Sequence, residues 1–261
     1  MDSNYETVKY AQDDAVAVIT IHRPDAMNSF NEELRRDLLA ACDRAAGDSS
    51  VRAVVITGEG RSFSAGADLK SSLDPEKSIE DMLQAEYRPV FESIAGMDKP
   101  VIAAVAGSAA GIGMSLALNC DLLIMADNAF LLSPFTTISL VPDGGLNWLL
   151  VHQIGYRRAF QLSIESERIG AERCVELGLA NRAVPADSLQ DEAIKWARAL
   201  AERAPLSIAA TKKAMRHASS ESWASTFDVE APLQQKLRQS ADSAEGVAAF
   251  LEKRRPEFKG K

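Results

Sequence analysis

Two stretches of small residues, each directly after an apolar segment, constrain this chain more than any other feature of its sequence. The first is residues 63–70, FSAGADLK, which follows the apolar segment 54–57. The second is residues 107–113, GSAAGIG, which follows the apolar segment 101–105 and leads into an apolar helix. Small side chains let a backbone approach a ligand closely, and two such turns can each direct one amide N–H at the same carbonyl oxygen. The pattern predicts two buried strands whose following turns form an oxyanion hole.

The apolar periodicity alternates between strand and helix up to about residue 194 and is helical from there onward. This order indicates an α/β core, residues 1–195, followed by a helical domain, residues 196–261. Asn31 is a plausible N-cap for the first long helix. Strands are predicted at 15–21, 51–57, 101–106 and 122–126, and helices at 31–46, up to about 97, and at 195–203, 206–218, 223–239 and 243–253.

Composition limits the class of protein without selecting one. With 261 residues, 46% of them hydrophobic and 25% charged, the chain can bury a full core. The formal net charge of −8 argues against a nucleic-acid-binding protein, which needs a basic surface. It still permits an anionic cofactor, because a few local Lys and Arg side chains are enough to hold phosphates.

The cysteines and the N-terminus indicate a reduced, cytoplasmic environment. Cys42, Cys120 and Cys174 are odd in number, widely spaced and set among apolar residues. They are therefore interpreted as core thiols and not as a disulfide frame or a metal site. The first ten residues are polar, and no segment has the roughly 18 apolar residues that a membrane span requires. No metal and no membrane partner is expected.

Several motifs occur in an order that resembles the enoyl-CoA hydratase/isomerase (crotonase) superfamily over nearly the whole chain. They are residues 63–70, residues 99–121, VITIHRPDAMNSF from Val18, and EGVAAFLEKRRPEFK near the C-terminus. The resemblance implies a spiral of ββα units with a C-terminal helical domain, assembled as trimers or as dimers of trimers. It also implies an acyl-CoA thioester as substrate, with coenzyme A arriving as part of that substrate and no tightly bound cofactor.

The resemblance further implies where coenzyme A binds. The loop that begins at Arg23 would make the first nucleotide contacts, and the forked guanidinium of Arg23 suits phosphate oxygens. Residues near the C-terminus would reach the adenine, often across a subunit boundary. From the residues alone, Arg23 is equally well a solvated surface charge, and the C-terminal positions equally well belong to an ordinary amphipathic helix. The binding candidates are Arg23, Met27, Ala65, Asp68, Leu69, Lys70, Phe250 and Lys253.

Residue by residue, the resemblance assigns the oxyanion hole to the backbone amides of Ala67 and Ile112. Ile112 stands where the family usually has glycine, which is tolerable because the donor is a main-chain N–H. The two glutamates that family hydratases use are replaced here by Ser115 and Phe135, so two-glutamate hydration is in doubt. Asp143 occupies the position at which isomerases of the superfamily carry their single base. Its local pattern alone also fits a helix cap.

These assignments predict an enzyme that shifts a C=C bond in an enoyl-CoA, of the Δ3–Δ2-enoyl-CoA isomerase or phenylacetate-pathway ring isomerase type. Asp143 would be the catalytic base beside the amides of Ala67 and Ile112. The alternatives are an enoyl-CoA hydratase that relies on Asp143 alone and a catalytically weak protein that binds CoA thioesters. The acyl pocket is predicted to be lined by Leu73, Met82, Ser115, Phe135 and Trp148.

Overall fold

Two β-sheets form the centre of the protein in a computed structural model that describes residues 5–70 and 78–261. The larger sheet has the strand order β1-β2-β3-β5-β7-β10, and the smaller has the order β4-β6-β8-β9. The strands are β1 Val8–Asp13, β2 Val16–Ile21, β3 Ala53–Gly58, β4 Ser62–Ser64, β5 Val101–Val105, β6 Ser108–Ala110, β7 Leu122–Ala126, β8 Phe130–Leu132, β9 Ile169–Gly170 and β10 Arg182–Val184.

The connections between the two sheets give the fold its spiral form. β3 and β4, β5 and β6, and β7 and β8 follow each other along the chain, and each pair places its first strand in the larger sheet and its second in the smaller. From β2 to β10 the larger sheet is parallel, and β4, β6 and β8 are parallel in the smaller one. This arrangement confirms the predicted α/β spiral.

Helices cover the sheets and continue alone towards the C-terminus. They are α1 Glu32–Gly47, α2 Ile79–Met82, α3 Arg88–Gly96, α4 Ile112–Asn119, α5 Leu146–Ile154, α6 Tyr156–Glu165, α7 Ala171–Leu177, α8 Leu189–Ala201, α9 Pro205–Ala218, α10 Trp223–Arg238 and α11 Ala241–Glu252. A π-helical turn, Leu83–Tyr87, lies between α2 and α3. Within the described segments, no helix is both long and apolar enough to cross a bilayer.

The first helix begins where the sequence predicts it. The Asn31 side-chain oxygen accepts a hydrogen bond from the Leu34 amide at 3.0 Å, and Glu32 and Glu33 follow in the first turn. Both features satisfy or complement the free N–H groups at a helix N-terminus. The apolar face of α1 packs towards the larger sheet, whose strands β3 and β5 are buried almost completely. Because both faces of these strands are covered, they are apolar at nearly every position.

The division into a core and a C-terminal helical domain stays a prediction. The boundary between residues 195 and 196 falls inside α8, whose buried residues include Ala193 and Ala197 and which packs against β3 and β5. Helical periodicity alone does not tell a helix that covers a sheet from one in a separate domain. The following helix, α9, contacts the core through Lys212 and Arg216, whose side chains pair with Asp121 at 2.7 and 3.0 Å.

Candidate active site

The two glycine-containing turns predicted from the sequence meet in the structure. β4 and β6 are parallel neighbours, so the turns that follow them leave the same edge of the smaller sheet. Gly66 has a φ of +102°, and a Cβ atom at this position would lie 3.0 Å from the Ala110 carbonyl oxygen and 3.7 Å from the Gly111 Cα. Glycine therefore permits both the backbone conformation and the close approach of the two turns.

The Ala67 amide is directed away from the backbone that holds its turn. Phe30 donates its N–H to the Gly66 oxygen at 2.8 Å, and its own oxygen accepts from Asp68 N–H at 2.9 Å. In this parallel bridge between Phe30 and Ala67, the peptide groups of Ala67 itself point to the opposite side. No residue within 5–70 or 78–261 accepts a hydrogen bond from the Ala67 amide. The amide is thus available to a ligand.

The Ile112 amide is the first N–H of α4. Gly111, with a φ of +54°, precedes the helix, and its oxygen accepts hydrogen bonds from the amides of Met114 and Ser115. The Ile112 N–H has no acceptor in the described part of the chain, as expected for the first turn of a helix. The positive end of the helix dipole adds to its attraction for a developing negative charge.

Both amides border one cavity of about 740 Å³. The cavity extends from the two turns to the π-helical segment Leu83–Tyr87 and to the loop that carries Asp143. Its size suits the acyl and thioester part of a substrate. The residues singled out in the sequence that line it are Ala65, Ala67, Asp68, Leu69, Met82, Ile112, Phe135 and Asp143.

Asp143 carries a carboxyl group whose environment differs from that of an ordinary aspartate. Its Oδ1 atom is buried and has no hydrogen-bond partner among the described residues. Burial raises the pKa of Asp143 to about 6, which is close to the range useful for a base at neutral pH. The side chain does not cap α5, because Gly145 is the N-cap residue and no side chain bonds there. The Asp143 main-chain oxygen instead accepts from the Leu146 amide at 3.1 Å.

The other acidic groups near the cavity are engaged elsewhere or exposed. Glu86 accepts two hydrogen bonds from the buried Arg35 at 2.6 and 2.9 Å. Glu33 accepts from the Asn31 side chain, and Asp68 pairs with Arg23 at 3.0 Å. Glu32 is exposed in the first turn of α1. Asp143 is therefore the cavity carboxyl best suited to accept a proton from a ligand.

Two of the predicted pocket residues, Trp148 and Ser115, do not border this cavity. Trp148 is 40% exposed and borders a separate groove beside α9, because α5 turns Leu146, Leu149 and Leu150 towards the core. Ser115 is fully buried and does not line the cavity.

Leu73 lies outside the described residues.

The predicted coenzyme A residues fall into two groups. Arg23 and Asp68 form an ion pair, and Arg23 also donates to the Ser29 main-chain oxygen. Arg23 therefore joins its own loop to the Ala67 turn, and the Ala65 amide does the same by donating to the Met27 oxygen at 3.0 Å. Leu69 and Lys70 are exposed at the end of the turn.

Phe250 and Lys253 lie at the end of α11 and do not border the cavity. Phe250 is 82% exposed. A contact across a subunit boundary stays a prediction for both residues.

Sequence reasoning missed the wall formed by Arg35, Glu86 and Tyr87. Tyr87 and Glu86 both face the cavity although they are adjacent in sequence. They lie in the π-helical turn, which changes the helical register locally and is common at functional sites. A search for a 3.6-residue period assigns Tyr87 to the core and gives no signal for this turn.

Comparison with known proteins establishes the family. The family model described as enoyl-CoA hydratase/isomerase matches residues 11–261. A probable enoyl-CoA hydratase of Rhodobacter capsulatus is 41% identical over 99% of this chain and 100% of the relative. A 1,2-epoxyphenylacetyl-CoA isomerase of Escherichia coli is 36% identical over 94% of this chain and 95% of the relative. The crystal structure of an enoyl-CoA hydratase from Polaromonas sp. JS666 superposes with a TM-score of 0.92 at 34% identity, covering 97% of this chain and 99% of that one. The chain belongs to the enoyl-CoA hydratase/isomerase family.

Proposed function

We propose that this member of the family shifts a C=C bond in an enoyl-CoA. The observation that carries the proposal is the environment of the Asp143 carboxyl group in the cavity. One of its oxygens is buried without a partner among the described residues, and desolvation raises its pKa to about 6. Asp143 borders the same cavity as Ala67 and Ile112, whose backbone amides have no acceptor in the described part of the chain. A base and an oxyanion hole in one cavity are the groups needed to form and stabilise an enolate.

The two amides would bind the thioester oxygen and gain strength as it becomes an enolate oxygen. One oxyanion donor is typically worth about 3–4 kcal/mol of barrier. Asp143 would remove a proton from C2 and return the same proton to C4, which moves the double bond and regenerates the carboxylate. One carboxyl is sufficient for this reaction, because no atom is added to the substrate.

A hydratase is the second candidate, and the name of the Rhodobacter capsulatus relative favours it. Hydration by two carboxylates requires both of them to hold a water molecule at the double bond. At the two positions concerned, Ser115 is fully buried below the cavity and Phe135 offers an apolar ring. A hydratase would therefore have to work with Asp143 alone. A weakly catalytic protein that binds CoA thioesters is a third candidate.

Parallel assays separate the three candidates. Purified protein is incubated with a 3-enoyl-CoA and, separately, with the 2-enoyl-CoA of the same length, and isomerised and hydrated products are quantified by chromatography. The isomerase proposal expects conversion of the 3-enoyl-CoA and little hydration of the 2-enoyl-CoA. Efficient hydration of the 2-enoyl-CoA without conversion of the 3-enoyl-CoA would contradict the isomerase proposal and support a hydratase. Binding without either product would favour the third candidate.

We also propose a homotrimer or homohexamer, with coenzyme A bound only as part of the substrate. Large apolar side chains are exposed on α10 and α11, among them Trp223, Phe227 and Leu251, and a self-associating surface would cover them. Light scattering tests the assembly.

Local basic groups such as Lys70 would contact the CoA phosphates, so added salt should weaken the binding of acyl-CoA. A monomer whose affinity for acyl-CoA is unaffected by salt would contradict both proposals.

A further inference from the structure

The Tyr87 hydroxyl group is a buried donor in the wall of the active-site cavity. The residue is 3% exposed and lies at the end of the π-helical turn. Its oxygen accepts a hydrogen bond from Arg35 Nη1 at 3.3 Å, and the Arg35 guanidinium carbon lies 4.7 Å from the ring centroid. Since arginine only donates, the Tyr87 proton is free to be donated to another atom.

None of the described groups around Tyr87 accepts this proton in a hydrogen bond. The Phe30 ring, 5.9 Å away between centroids, has no acceptor. Glu86 is held by Arg35, and its bonded oxygen is occupied by two guanidinium donors. Asp143 also borders the cavity, and its Oδ1 has no hydrogen-bond partner among the described residues. Burial raises the pKa of Tyr87, so the hydroxyl keeps its proton at neutral pH.

The lining of this cavity, as formed by the described residues, is mainly apolar. A buried donor that stays unpaired costs free energy, whereas a ligand oxygen placed beside it removes that cost. A site built around such a donor also discriminates against ligands that lack the acceptor. The apolar side chains of the lining include Ile79, Met82, Leu83, Phe135, Ile138 and Leu140.

We propose that Tyr87 is a specificity-determining residue that donates its hydroxyl hydrogen bond to an oxygen atom on the acyl group. The preferred substrates are acyl-CoA thioesters whose acyl part carries a hydroxyl, carbonyl or ether oxygen in addition to the thioester. Arg35 positions the Tyr87 hydroxyl by donating a hydrogen bond to its oxygen. This inference rests on the proposed function, because it assumes that the cavity binds the acyl group of a CoA thioester.

Calorimetric binding of unreactive thioesters tests the inference without requiring turnover. Hexanoyl-CoA and phenylacetyl-CoA are each compared with their monohydroxylated derivatives, on wild-type protein and on Tyr87→Phe. In the wild type, at least one hydroxylated thioester of a series should bind about 3- to 10-fold more tightly than its parent, the range expected for one net hydrogen bond. Tyr87→Phe should reduce this preference to about 1 and leave the affinity for the parent thioester unchanged.

Tyr10→Phe is the matched control, because it removes another buried tyrosine hydroxyl that lies outside the cavity. It should leave every affinity ratio unchanged. Two results would overturn the inference and leave the proposed function intact. One is equal binding of the parent and hydroxylated thioesters by the wild type, and the other is a preference for the hydroxylated thioester that persists in Tyr87→Phe. Failure of every thioester to bind would overturn both. The wild-type ratios are decisive even if Tyr87→Phe folds poorly.

Discussion

The Ser115 hydroxyl donates a hydrogen bond to the main-chain oxygen of Asp143 at 3.0 Å. Ser115 lies on α4, whose first residue, Ile112, would supply one amide of the proposed oxyanion hole. The same helix contacts the Asp143 loop a second time, because a Cβ atom at Gly144 would lie 2.5 Å from Ile112 Cδ1 and 2.9 Å from Ser115 Cβ. The proposed base, Asp143, and one amide of the proposed oxyanion hole are thus held in contact by the same helix, which fixes their relative position.

Gly144→Ala should reduce activity by displacing Asp143. The added methyl group would overlap with Ile112 and Ser115, and alanine is strained at the Gly144 φ of +62°. We expect kcat for the 3-enoyl-CoA to fall at least about 10-fold, because small displacements of catalytic groups are costly. Gly145→Ala is the control: its φ is also positive, at +79°, but no atom lies within 4 Å of the added Cβ. Equal losses in the two variants would mean that backbone strain, and not displacement by α4, is responsible.

The pH dependence of kcat/KM should report the ionisation of Asp143. The base acts in its charged form, and burial raises its pKa to about 6, so activity should increase with pH and level off above about pH 7. Initial rates with a 3-enoyl-CoA between pH 4.5 and 8 check this. A kcat/KM that is nearly independent of pH over this range would indicate a base with an ordinary aspartate pKa.

Asp143→Asn should gain stability relative to the wild type as the pH increases. The folded-state pKa of Asp143 is raised above its unfolded value of 3.8, so between about pH 4 and 6 the folded protein binds more protons than the unfolded one. The free energy of unfolding of the wild type therefore falls as the pH rises through this window, and the variant lacks this loss. Melting temperatures measured at pH 4 and at pH 7.5 give the comparison. A difference in melting temperature between the two proteins that is the same at pH 4 and at pH 7.5 would contradict this prediction.

Ala67→Pro should abolish most of the turnover, because proline has no amide hydrogen to donate. The loss of one oxyanion donor costs about 10²- to 10³-fold in kcat. Ala67→Gly keeps the amide and should retain activity close to that of the wild type. Rates are measured together with the affinity for a saturated acyl-CoA, which shows whether the site is still formed. Normal turnover in a folded Ala67→Pro protein would mean that the thioester oxygen binds elsewhere.

The sequence predicts the parts of the site that depend on local chemistry. The apolar segments that became β3 and β5, the Asn31 cap and the two turns around Gly66 and Gly111 each follow from residue type and spacing. The position of Trp148 cannot be predicted from residue type and spacing. An amphipathic pattern indicates that one face of a helix is buried, but it does not show which cavity the other face borders.

Tyr87 illustrates a second limit on predicting the site from the sequence. Its placement depends on a π-helical turn and on the buried Arg35, which comes from a distant helix. Contacts between elements far apart in sequence leave no periodic signal in one chain. For the same reason, the periodicity of α8 does not show that this helix packs on β3 and β5.

The most direct test of the account is the rate at which Asp143→Asn isomerises a 3-enoyl-CoA. Asparagine keeps the size of the side chain and removes the proton acceptor, so we expect kcat to fall by at least about 10²-fold while affinity for a saturated acyl-CoA is retained. Asp98→Asn, at an exposed aspartate away from the cavity, is the matched control and should leave kcat unchanged. An Asp143→Asn protein that isomerises within a few-fold of the wild-type rate would contradict the assignment of Asp143 as the base.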